Sequence, residues 1–231
     1  MLALFDIDGT LVLTGGSGSR ALNRACLELH GISDALAHVH LGGKTDPIIV
    51  DEVFQHHWQR AASAAEFDAL MTLYVRYLAD DVAASEGYRV LPGVEAALAA
   101  CAARGAVLGL ASGNVEPAAR IKLERGQLWH RFGFGGYGSD HGDRALLVAR
   151  AIERGETHAG RRFARERVLV IGDTPRDVAA AHACGALAVA VATGSFDVPT
   201  LRACGADVVL DTLEGFPAWL RRAGMAGEPS T

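Results

Sequence analysis

The fold is decided at the start of the chain, in the stretch Leu2-Ala3-Leu4-Phe5-Asp6-Ile7-Asp8-Gly9-Thr10. A short, continuously apolar run that ends in a polar turn is typical of a strand buried on both faces of a parallel sheet. Asp6 and Asp8 then lie at the carboxyl end of this strand, where open α/β folds build their sites. Two carboxylates this close disfavour joint ionisation, which indicates a bound cation or a phosphoryl-transfer site. By itself, the Asp-x-Asp-Gly pattern also fits an ordinary turn or a calcium loop.

Two later segments repeat this arrangement of an apolar run followed by a polar turn that contains glycine. The first is Val107-Leu108-Gly109-Leu110-Ala111, followed by Ser112-Gly113-Asn114. The second is Val168-Leu169-Val170-Ile171, followed by Gly172-Asp173-Thr174-Pro175-Arg176-Asp177. In this order and at these intervals, the three segments resemble the haloacid dehalogenase-like (HAD) hydrolase superfamily, whose members are mostly magnesium-dependent phosphatases. The resemblance covers nearly the whole chain and is to phosphoglycolate phosphatase-like members with a helical cap.

Strand and helix patterns alternate along the second half of the chain. We predict strands near 106–111, 167–172, 186–192 and 207–210, and helices near 115–126, 143–155, 175–184 and 197–204. Such alternation requires right-handed crossovers and a parallel sheet covered on both faces. The predicted fold class is therefore α/β, with a doubly wound parallel-sheet core that is Rossmann-like and of the HAD type.

Between the first strand and this alternating region, apolar residues recur at helical spacing and no convincing strand appears. The resemblance implies that such an insert is a small helical cap domain, which closes over the site and largely sets substrate preference. We therefore predict an α/β HAD core at 1–16 and 86–225, a helical cap at 17–85 and a disordered tail at 226–231. The glycine-rich residues 11–18 are expected to form a flexible hinge, and a helix is expected to open at Leu91-Pro92-Gly93.

Length and composition fit a globular protein and exclude several other classes. The 231 residues suffice for one core plus a small accessory domain, and 50% of them are hydrophobic. The net charge of −5 argues against a general nucleic-acid or membrane-surface binder. The four cysteines are scattered, which is typical of buried thiols in a reducing compartment. With no signal segment and no long apolar stretch, the expected location is cytoplasmic.

The resemblance implies a role for each acidic residue of these motifs. Asp6 is the nucleophile that forms an aspartyl phosphate, and Asp8 is the general acid and base that protonates the leaving oxygen and then activates water. The implied cofactor is Mg²⁺, which neutralises the repulsion between a carboxylate and an anionic phosphate. Its implied ligands are Asp6, Asp8, Asp173 and Asp177. As alternatives, Asp173 also fits a helix N-cap, and Asp177 fits a solvated acid in a first helical turn.

The segment after the second apolar run is implied to bind the phosphoryl group. Ser112 is the catalytic residue there, because the family places at this point a hydroxyl that hydrogen-bonds a phosphoryl oxygen. The backbone N–H groups of Gly113 and Asn114 assist it in binding the substrate. The alternative for Ser112 is an N-cap of the following helix.

The chain departs from the family pattern at the basic residue that steadies the phosphate, which is a lysine in most members. It has only two lysines, Lys44 and Lys122. Lys122 follows Ser112 within a predicted helix, where a solvated or salt-bridged surface position is expected. Arg144 falls at a more fitting interval between Ser112 and Asp173, and a guanidinium can bind phosphate bidentately. We therefore nominate Arg144 as the catalytic basic residue, with an exposed arginine at a helix start as the alternative.

A glycine pair interrupts the helices of the insert at Leu41-Gly42-Gly43-Lys44-Thr45-Asp46-Pro47, and a new helix follows it. The resemblance implies that a cap loop dips into the active site at this point. Lys44 is then a candidate for binding an anionic substrate, and Asp46 is a candidate for anchoring the loop. An ordinary turn before a helix fits the same residues.

The predicted activity is Mg²⁺-dependent hydrolysis of a small phosphate monoester. The expected partner is a small phosphorylated metabolite, and neither nucleic acid nor a membrane is expected to bind. Asp8 favours this chemistry, since the resemblance implies that members that cleave carbon–halogen bonds usually carry another residue there. A sugar phosphomutase, similar to beta-phosphoglucomutase, shares the same aspartates and stays open. A non-catalytic binding protein on the HAD scaffold is a second alternative, motivated by the missing lysine, and a 2-haloacid dehalogenase ranks last.

Overall fold

A computed structural model of the chain describes residues 1–224, which form two sheets flanked by helices. The strands are β1 (Leu2–Phe5), β2 (Val12–Thr14), β3 (Tyr88–Val90), β4 (Val107–Ser112), β5 (Gly135–Tyr137), β6 (Val168–Gly172), β7 (Leu187–Val191) and β8 (Val208–Leu210). The α-helices are α1 (Ser17–His30), α2 (Asp46–Trp58), α3 (Ala64–Ala84), α4 (Val94–Ala102), α5 (Glu116–Arg125), α6 (Arg144–Ala159), α7 (Pro175–Ala183), α8 (Val198–Ala203) and α9 (Phe216–Arg222). The predicted tail at 226–231 lies outside the described residues.

The larger sheet is parallel and has six strands in the order β5-β4-β1-β6-β7-β8. β1 is central, because Phe5 pairs with Leu110 of β4 on one side and with Ile171 of β6 on the other. After β1, the chain adds β4 and β5 on one side of it. It then adds β6, β7 and β8 on the other side. A topological switch point therefore lies between β1 and β6, where doubly wound folds bind their ligands. The predicted fold class is confirmed.

Helices on both faces of the sheet explain why β1 is apolar throughout. Ala3 and Phe5 join a buried cluster that includes residues of α4, α5 and α9, whereas Leu2 and Leu4 join a cluster that includes residues of α6, α7 and α8. All four side chains are fully buried. Burial of one Leu or Phe side chain contributes about 1.5–3 kcal/mol, so the strand is a firmly packed support for the acidic residues that follow it.

The insert consists of α1, α2 and α3, and a third buried cluster packs these helices together and against Val115 and Ala118 at the start of α5. Strand β2 precedes α1 in the chain and strand β3 follows α3. The two strands pair as an antiparallel ribbon, with Thr14 opposite Tyr88. Residues 11–18 contain β2 and the start of α1, with a turn at Gly15 and Gly16 between them, so the stretch is more regular than expected, and its role as a hinge stays a prediction. The partner strand of β2 lies more than seventy residues further along the chain, out of reach of a local pattern. The boundaries of core and cap stay a prediction.

Two smaller differences from the predicted elements have local causes. β5 has only three residues, and its first two are glycines, which have low strand propensity. A Cβ at Gly136 would lie 2.0 Å from the carbonyl oxygen of Leu147, so glycine lets α6 pack closely on this strand. Helix α4 begins at Val94 rather than at Leu91, because Gly93 at its N-cap has a left-handed φ of 84°. Across residues 1–224, no helix combines the length and the apolar composition needed to cross a membrane.

Candidate active site

Three buried carboxylates, which we call the acid cluster, meet at the carboxyl ends of β1 and β6: those of Asp6, Asp173 and Asp177. Asp6 and Asp173 follow adjacent strands, and Asp177 lies in the first turn of α7. Each residue is at most 6% exposed, and one oxygen from each lies within 4.8 Å of the others. A capping box holds Asp177, whose Oδ2 accepts hydrogen bonds from the backbone N and the Oγ1 of Thr174 at 3.0 and 2.7 Å.

The space for Asp173 is made by two glycines. A Cβ at Gly9, which has a left-handed φ of +81°, would lie 2.4 Å from Oδ2 of Asp173, and a Cβ at Gly194 would lie 1.7 Å from the same atom. Thr10 contributes a 3.2 Å hydrogen bond from Oγ1 to Oδ1 of Asp173. The Gly-Thr part of the first motif is thus explained by the carboxylate that packs against it as well as by the turn.

Burial perturbs the acid cluster strongly. It raises the pKa of Asp6 to about 6, an effect that Arg144 opposes and that Asp177 and Asp8 reinforce. Burial, together with the charges of Asp6 and Asp177, raises the pKa of Asp173 to about 8. Three buried carboxylates that repel one another, with only oxygen donors, fit a hard divalent cation such as Mg²⁺.

We expect Mg²⁺ to stabilise the protein more at about pH 8 than at about pH 5. The folded pKa values of Asp6 and Asp173 lie above the usual value of 3.8. Between about pH 4 and pH 8 the folded state therefore binds more protons than the unfolded state, and the metal-free protein loses stability as the pH rises through that window. A cation on the ionised carboxylates offsets this loss, whereas protons compete with it at low pH. Thermal unfolding at both pH values, with Mg²⁺ and with a chelator, measures the difference. Equal Mg²⁺-induced shifts in Tm would contradict a metal site in this cluster.

The cation in contact with the acid cluster is Arg144, the first residue of α6. Its side chain is 8% exposed, and Nη2 lies 2.9 Å from Oδ1 of Asp6 and 2.6 Å from Oδ1 of Asp177. Nε donates a 2.9 Å hydrogen bond to Asp177 Oδ1, and Nη1 donates a 3.2 Å hydrogen bond to the carbonyl of Gly43. The buried Nη2 makes close ion pairs but has no acceptor in hydrogen-bond alignment. The alternative of an exposed arginine is therefore wrong.

Asp8 lies apart from the acid cluster and is more exposed, with 43% of its side chain accessible. Lys122 Nζ donates to Oδ1 and Oδ2 of Asp8 at 2.9 and 2.7 Å, and Asn114 Nδ2 donates to Oδ2 at 2.7 Å. Because these two partners hold it, the Asp8 carboxylate is not among the three that come together within residues 1–224. The predicted metal ligation by Asp8 stays a prediction.

Lys122 is a site residue whose burial differs from the expected surface position. A solvated or salt-bridged surface position is expected from the pattern; the salt bridge exists, but the side chain is only 6% exposed. Its Nζ also donates a 2.6 Å hydrogen bond to Oδ1 of Asn114. Lys122 follows the buried Ala118 by four residues, which places it on the inward face of α5. That spacing is the signal from which its burial could have been predicted.

Ser112, at the end of β4, is fully buried and contacts Asn114. Its Oγ accepts hydrogen bonds from Asn114 Nδ2 at 2.8 Å and from Asn114 N at 3.4 Å. The hydroxyl proton is then left to donate to another acceptor. Ser112 is not the N-cap of α5, because that position belongs to Val115.

The loop at 41–46 reaches from the insert to the ends of the strands. The backbone N of Asp46 donates a 2.8 Å hydrogen bond to the carbonyl of Gly113, and its Oδ2 accepts a 2.7 Å hydrogen bond from the backbone N of Val115. Nearby, Thr45 Oγ1 donates to the carbonyl of Gly142 at 2.7 Å. These contacts support the anchoring role predicted for Asp46.

A cavity of about 420 Å³ lies between this loop and the strand ends. Lining residues from both the core and the insert include Asp6, Asp8, Lys44, Ser112, Asn114 and Arg144. Lys44 is brought to the cavity as predicted, but its Nζ is paired with Oε2 of Glu52 at 2.5 Å. The sequence pattern gave no indication of this ion pair.

A doubly wound sheet with an acid cluster at its switch point and a helical insert over it is the architecture of an α/β enzyme. A family model for haloacid dehalogenase-like hydrolases matches residues 1–185. The chain therefore belongs to the haloacid dehalogenase-like hydrolase family.

Individual relatives agree with this assignment. The chain is 30% identical to phosphoglycolate phosphatase from Rhodospirillum rubrum, over 94% of this chain and 89% of that protein. Together with the family match, this likeness identifies an enzyme of the phosphatase type. A hydrolase from Pseudomonas syringae has a similar structure, with a TM-score of 0.73 and 19% identity over 98% of this chain and 99% of that one. CbbY from Rhodobacter sphaeroides, in complex with phosphate, has a TM-score of 0.71 and 18% identity over 92% and 94% of the two chains. At these identities the two structures support the fold alone.

Proposed function

We propose that the protein hydrolyses a small phosphate monoester in a Mg²⁺-dependent reaction, through an aspartyl phosphate at Asp6. The observation that carries this proposal is the different setting of two neighbouring acids. Asp6 lies in the buried acid cluster beside Arg144, whereas Asp8 lies at the cavity with a more exposed carboxylate. One acid is thus suited to attack phosphorus, and the other is suited to exchange protons.

In the first step, an oxygen of Asp6 attacks phosphorus and the bond from phosphorus to the leaving oxygen breaks. Asp8, in its protonated form, donates its proton to that oxygen, and the alcohol leaves. In the second step, the Asp8 carboxylate takes a proton from a water molecule, which attacks the phosphorus of the aspartyl phosphate. The bond from phosphorus to Asp6 breaks, inorganic phosphate leaves, and both acids return to their starting states.

The residues around Asp6 supply the donors that a phosphoryl group needs. Arg144 Nη2 has no aligned acceptor, and the Ser112 hydroxyl proton is free of the hydrogen bonds that its oxygen accepts. The backbone N–H of Gly113 is a further candidate donor. Mg²⁺ held by Asp6, Asp173 and Asp177 would supply positive charge that offsets the repulsion between nucleophile and phosphoryl group.

Lys122 and Asn114 position Asp8 in this proposal. Both donate hydrogen bonds to its carboxylate, so the carboxylate has a fixed orientation toward the cavity. Asp8 needs such an orientation because the same group serves the leaving oxygen and then the attacking water.

A small phosphorylated metabolite is the substrate that fits the cavity volume. CbbY from Rhodobacter sphaeroides has a similar structure in complex with xylulose-(1,5)bisphosphate, and this likeness supports a small phosphorylated ligand. A net charge of −5 gives no general attraction for nucleic acid. We place the reaction in the cytoplasm, as the thiols of the chain suggest.

A panel of phosphate monoesters, assayed for released phosphate with Mg²⁺ and with an excess of chelator, tests the proposed function. We expect turnover with Mg²⁺ and its loss with chelator, with restoration when Mg²⁺ is added back. Hydrolysis that is insensitive to chelator would contradict the metal assignment. Product isomerisation without phosphate release would point to a mutase, and binding of a phosphate analogue without any turnover would point to a non-catalytic protein.

A further inference from the structure

The cations that line the cavity are all paired with carboxylates. Within residues 1–224 these cations are Lys44, Lys122 and Arg144. Arg144 pairs with two members of the acid cluster, and Lys122 pairs with Asp8. Both lie where the proposed chemistry needs them, next to the nucleophile and the acid. Residues 225–231 contain no lysine or arginine that could add a further cation.

Lys44 is the cation that the insert contributes, and Glu52 neutralises it. The two charged atoms are 2.5 Å apart, and the Lys44 side chain is only 10% exposed. Glu52 lies in α2, the helix that begins at Asp46 directly after the loop that carries Lys44. Lys44 and Glu52 are therefore carried by the loop and the helix that meet at Asp46, the residue that anchors the loop. A substrate carboxylate at this position would meet an ammonium whose charge Glu52 already balances, with the like-charged Glu52 carboxylate beside it.

Apart from Lys44, the described residues of the insert bring no cation to the cavity. Aliphatic side chains form much of this surface, namely Leu22, Leu36, Leu41 and Ile49. Tyr74 is neutral, because burial and the charges of Asp46 and Asp8 raise its pKa well above the usual value. Asp46 is itself a carboxylate that lines the cavity. An anionic leaving group would thus meet apolar, neutral polar or acidic side chains of the insert rather than an unpaired cation.

From these contacts we infer that the enzyme selects phosphate monoesters of uncharged alcohols with an apolar body, and that Glu52 enforces this choice by occupying Lys44. The inference rests on the proposed hydrolysis at Asp6 and adds the substrate class to it. It separates the chain from its relative in Rhodospirillum rubrum, whose name states a carboxylate-bearing substrate.

Two esters of closely similar shape test the selection directly. Phosphoglycolate and isobutyl phosphate differ in that an isopropyl group replaces the carboxylate. We expect kcat/KM to be about tenfold or more higher for isobutyl phosphate, because a specific pocket discriminates against a group that it leaves unpaired.

The variant Glu52→Gln tests the role assigned to the ion pair. It removes the competing carboxylate and leaves the Lys44 ammonium free to bind phosphoglycolate. We expect the ratio of kcat/KM for phosphoglycolate to that for isobutyl phosphate to rise about 10- to 100-fold, since charge-assisted hydrogen bonds are the stronger class. In the double variant Glu52→Gln, Lys44→Met the ratio should return toward that of the unmodified protein.

A variant of Arg176, another cation near this loop, is the matched control. Arg176 is exposed beside Gly43 but does not line the cavity. Arg176→Gln should leave the ratio of the two esters unchanged. If this variant alone shifts the ratio, the assignment to Lys44 and Glu52 is overturned.

The failures of this inference and of the proposed function are distinguishable. A preference for phosphoglycolate in the unmodified protein, or no change of the ratio in Glu52→Gln, overturns the inference and leaves hydrolysis at Asp6 intact. Absence of Mg²⁺-dependent turnover with every ester overturns the proposed function and the inference with it.

Discussion

Asp6→Asn is expected to lower the turnover of every phosphate monoester by about 10⁴-fold or more, the scale seen when a nucleophile is removed. The amide keeps the size and approximate shape of the carboxylate but cannot form the acyl phosphate. The candidate hydrogen-bond donors to the phosphoryl group, Arg144 and Ser112 among them, stay in place. Binding of inorganic phosphate should therefore persist while turnover disappears. Steady-state assays of phosphate release and titration with phosphate measure the two properties separately.

The same variant has a stability control. Burial raises the pKa of Asp6 to about 6, which means that the ionised carboxylate is disfavoured where it lies. Asn removes that charge, so we expect the Tm of the metal-free variant at about pH 8 to equal or exceed that of the unmodified protein. An inactive variant with a much lower Tm would attribute the loss to folding, and an active variant would exclude Asp6 as the nucleophile.

Arg144→Ala is expected to lower kcat/KM by about 10²- to 10³-fold, the scale for loss of one preorganised donor to a reacting group. The guanidinium contacts Asp6, Asp177 and the carbonyl of Gly43 at once. Its removal takes charge from the phosphoryl site and leaves the acid cluster without its cation. Kinetics at saturating Mg²⁺ measure the first effect, and thermal unfolding measures the second.

Arg144→Lys separates charge from geometry. Lysine keeps the positive charge of Arg144, but an ammonium cannot make all three contacts of the planar guanidinium. We expect activity between those of the unmodified protein and of Arg144→Ala. Full activity in Arg144→Ala would remove the residue from the site, and equal losses in both variants would show that the fork geometry, rather than the charge, is what matters.

Local sequence patterns reveal the fold where apolar runs are continuous and end in polar turns. β1, β4 and β6 are of this kind, and pairing of β1 with both neighbours follows from the parallel α/β fold. β5 is missed because two of its three residues are glycines, and the β2–β3 ribbon is missed because its strands are far apart in the chain. These elements depend on tertiary contacts that no short window contains.

The site residues likewise include some that local patterns predict and others that depend on tertiary contacts. Asp6, Ser112 and Asp173 follow predicted strands, so the topology alone brings them to one edge of the sheet. Lys122 depends instead on which face of α5 is buried, and that is decided by the helices packed around it. The pairing of Lys44 with Glu52 depends on rotamers within the insert, which composition and spacing do not determine.

In the proposed reaction, Asp6 becomes an aspartyl phosphate during each turnover. Quenching the reaction in the steady state and reducing it with borohydride converts an acyl phosphate at an aspartate to homoserine, which peptide mass spectrometry locates. We predict homoserine at position 6, dependent on substrate and absent from Asp6→Asn. Homoserine at another aspartate, or none in samples taken during active turnover, would contradict the claim.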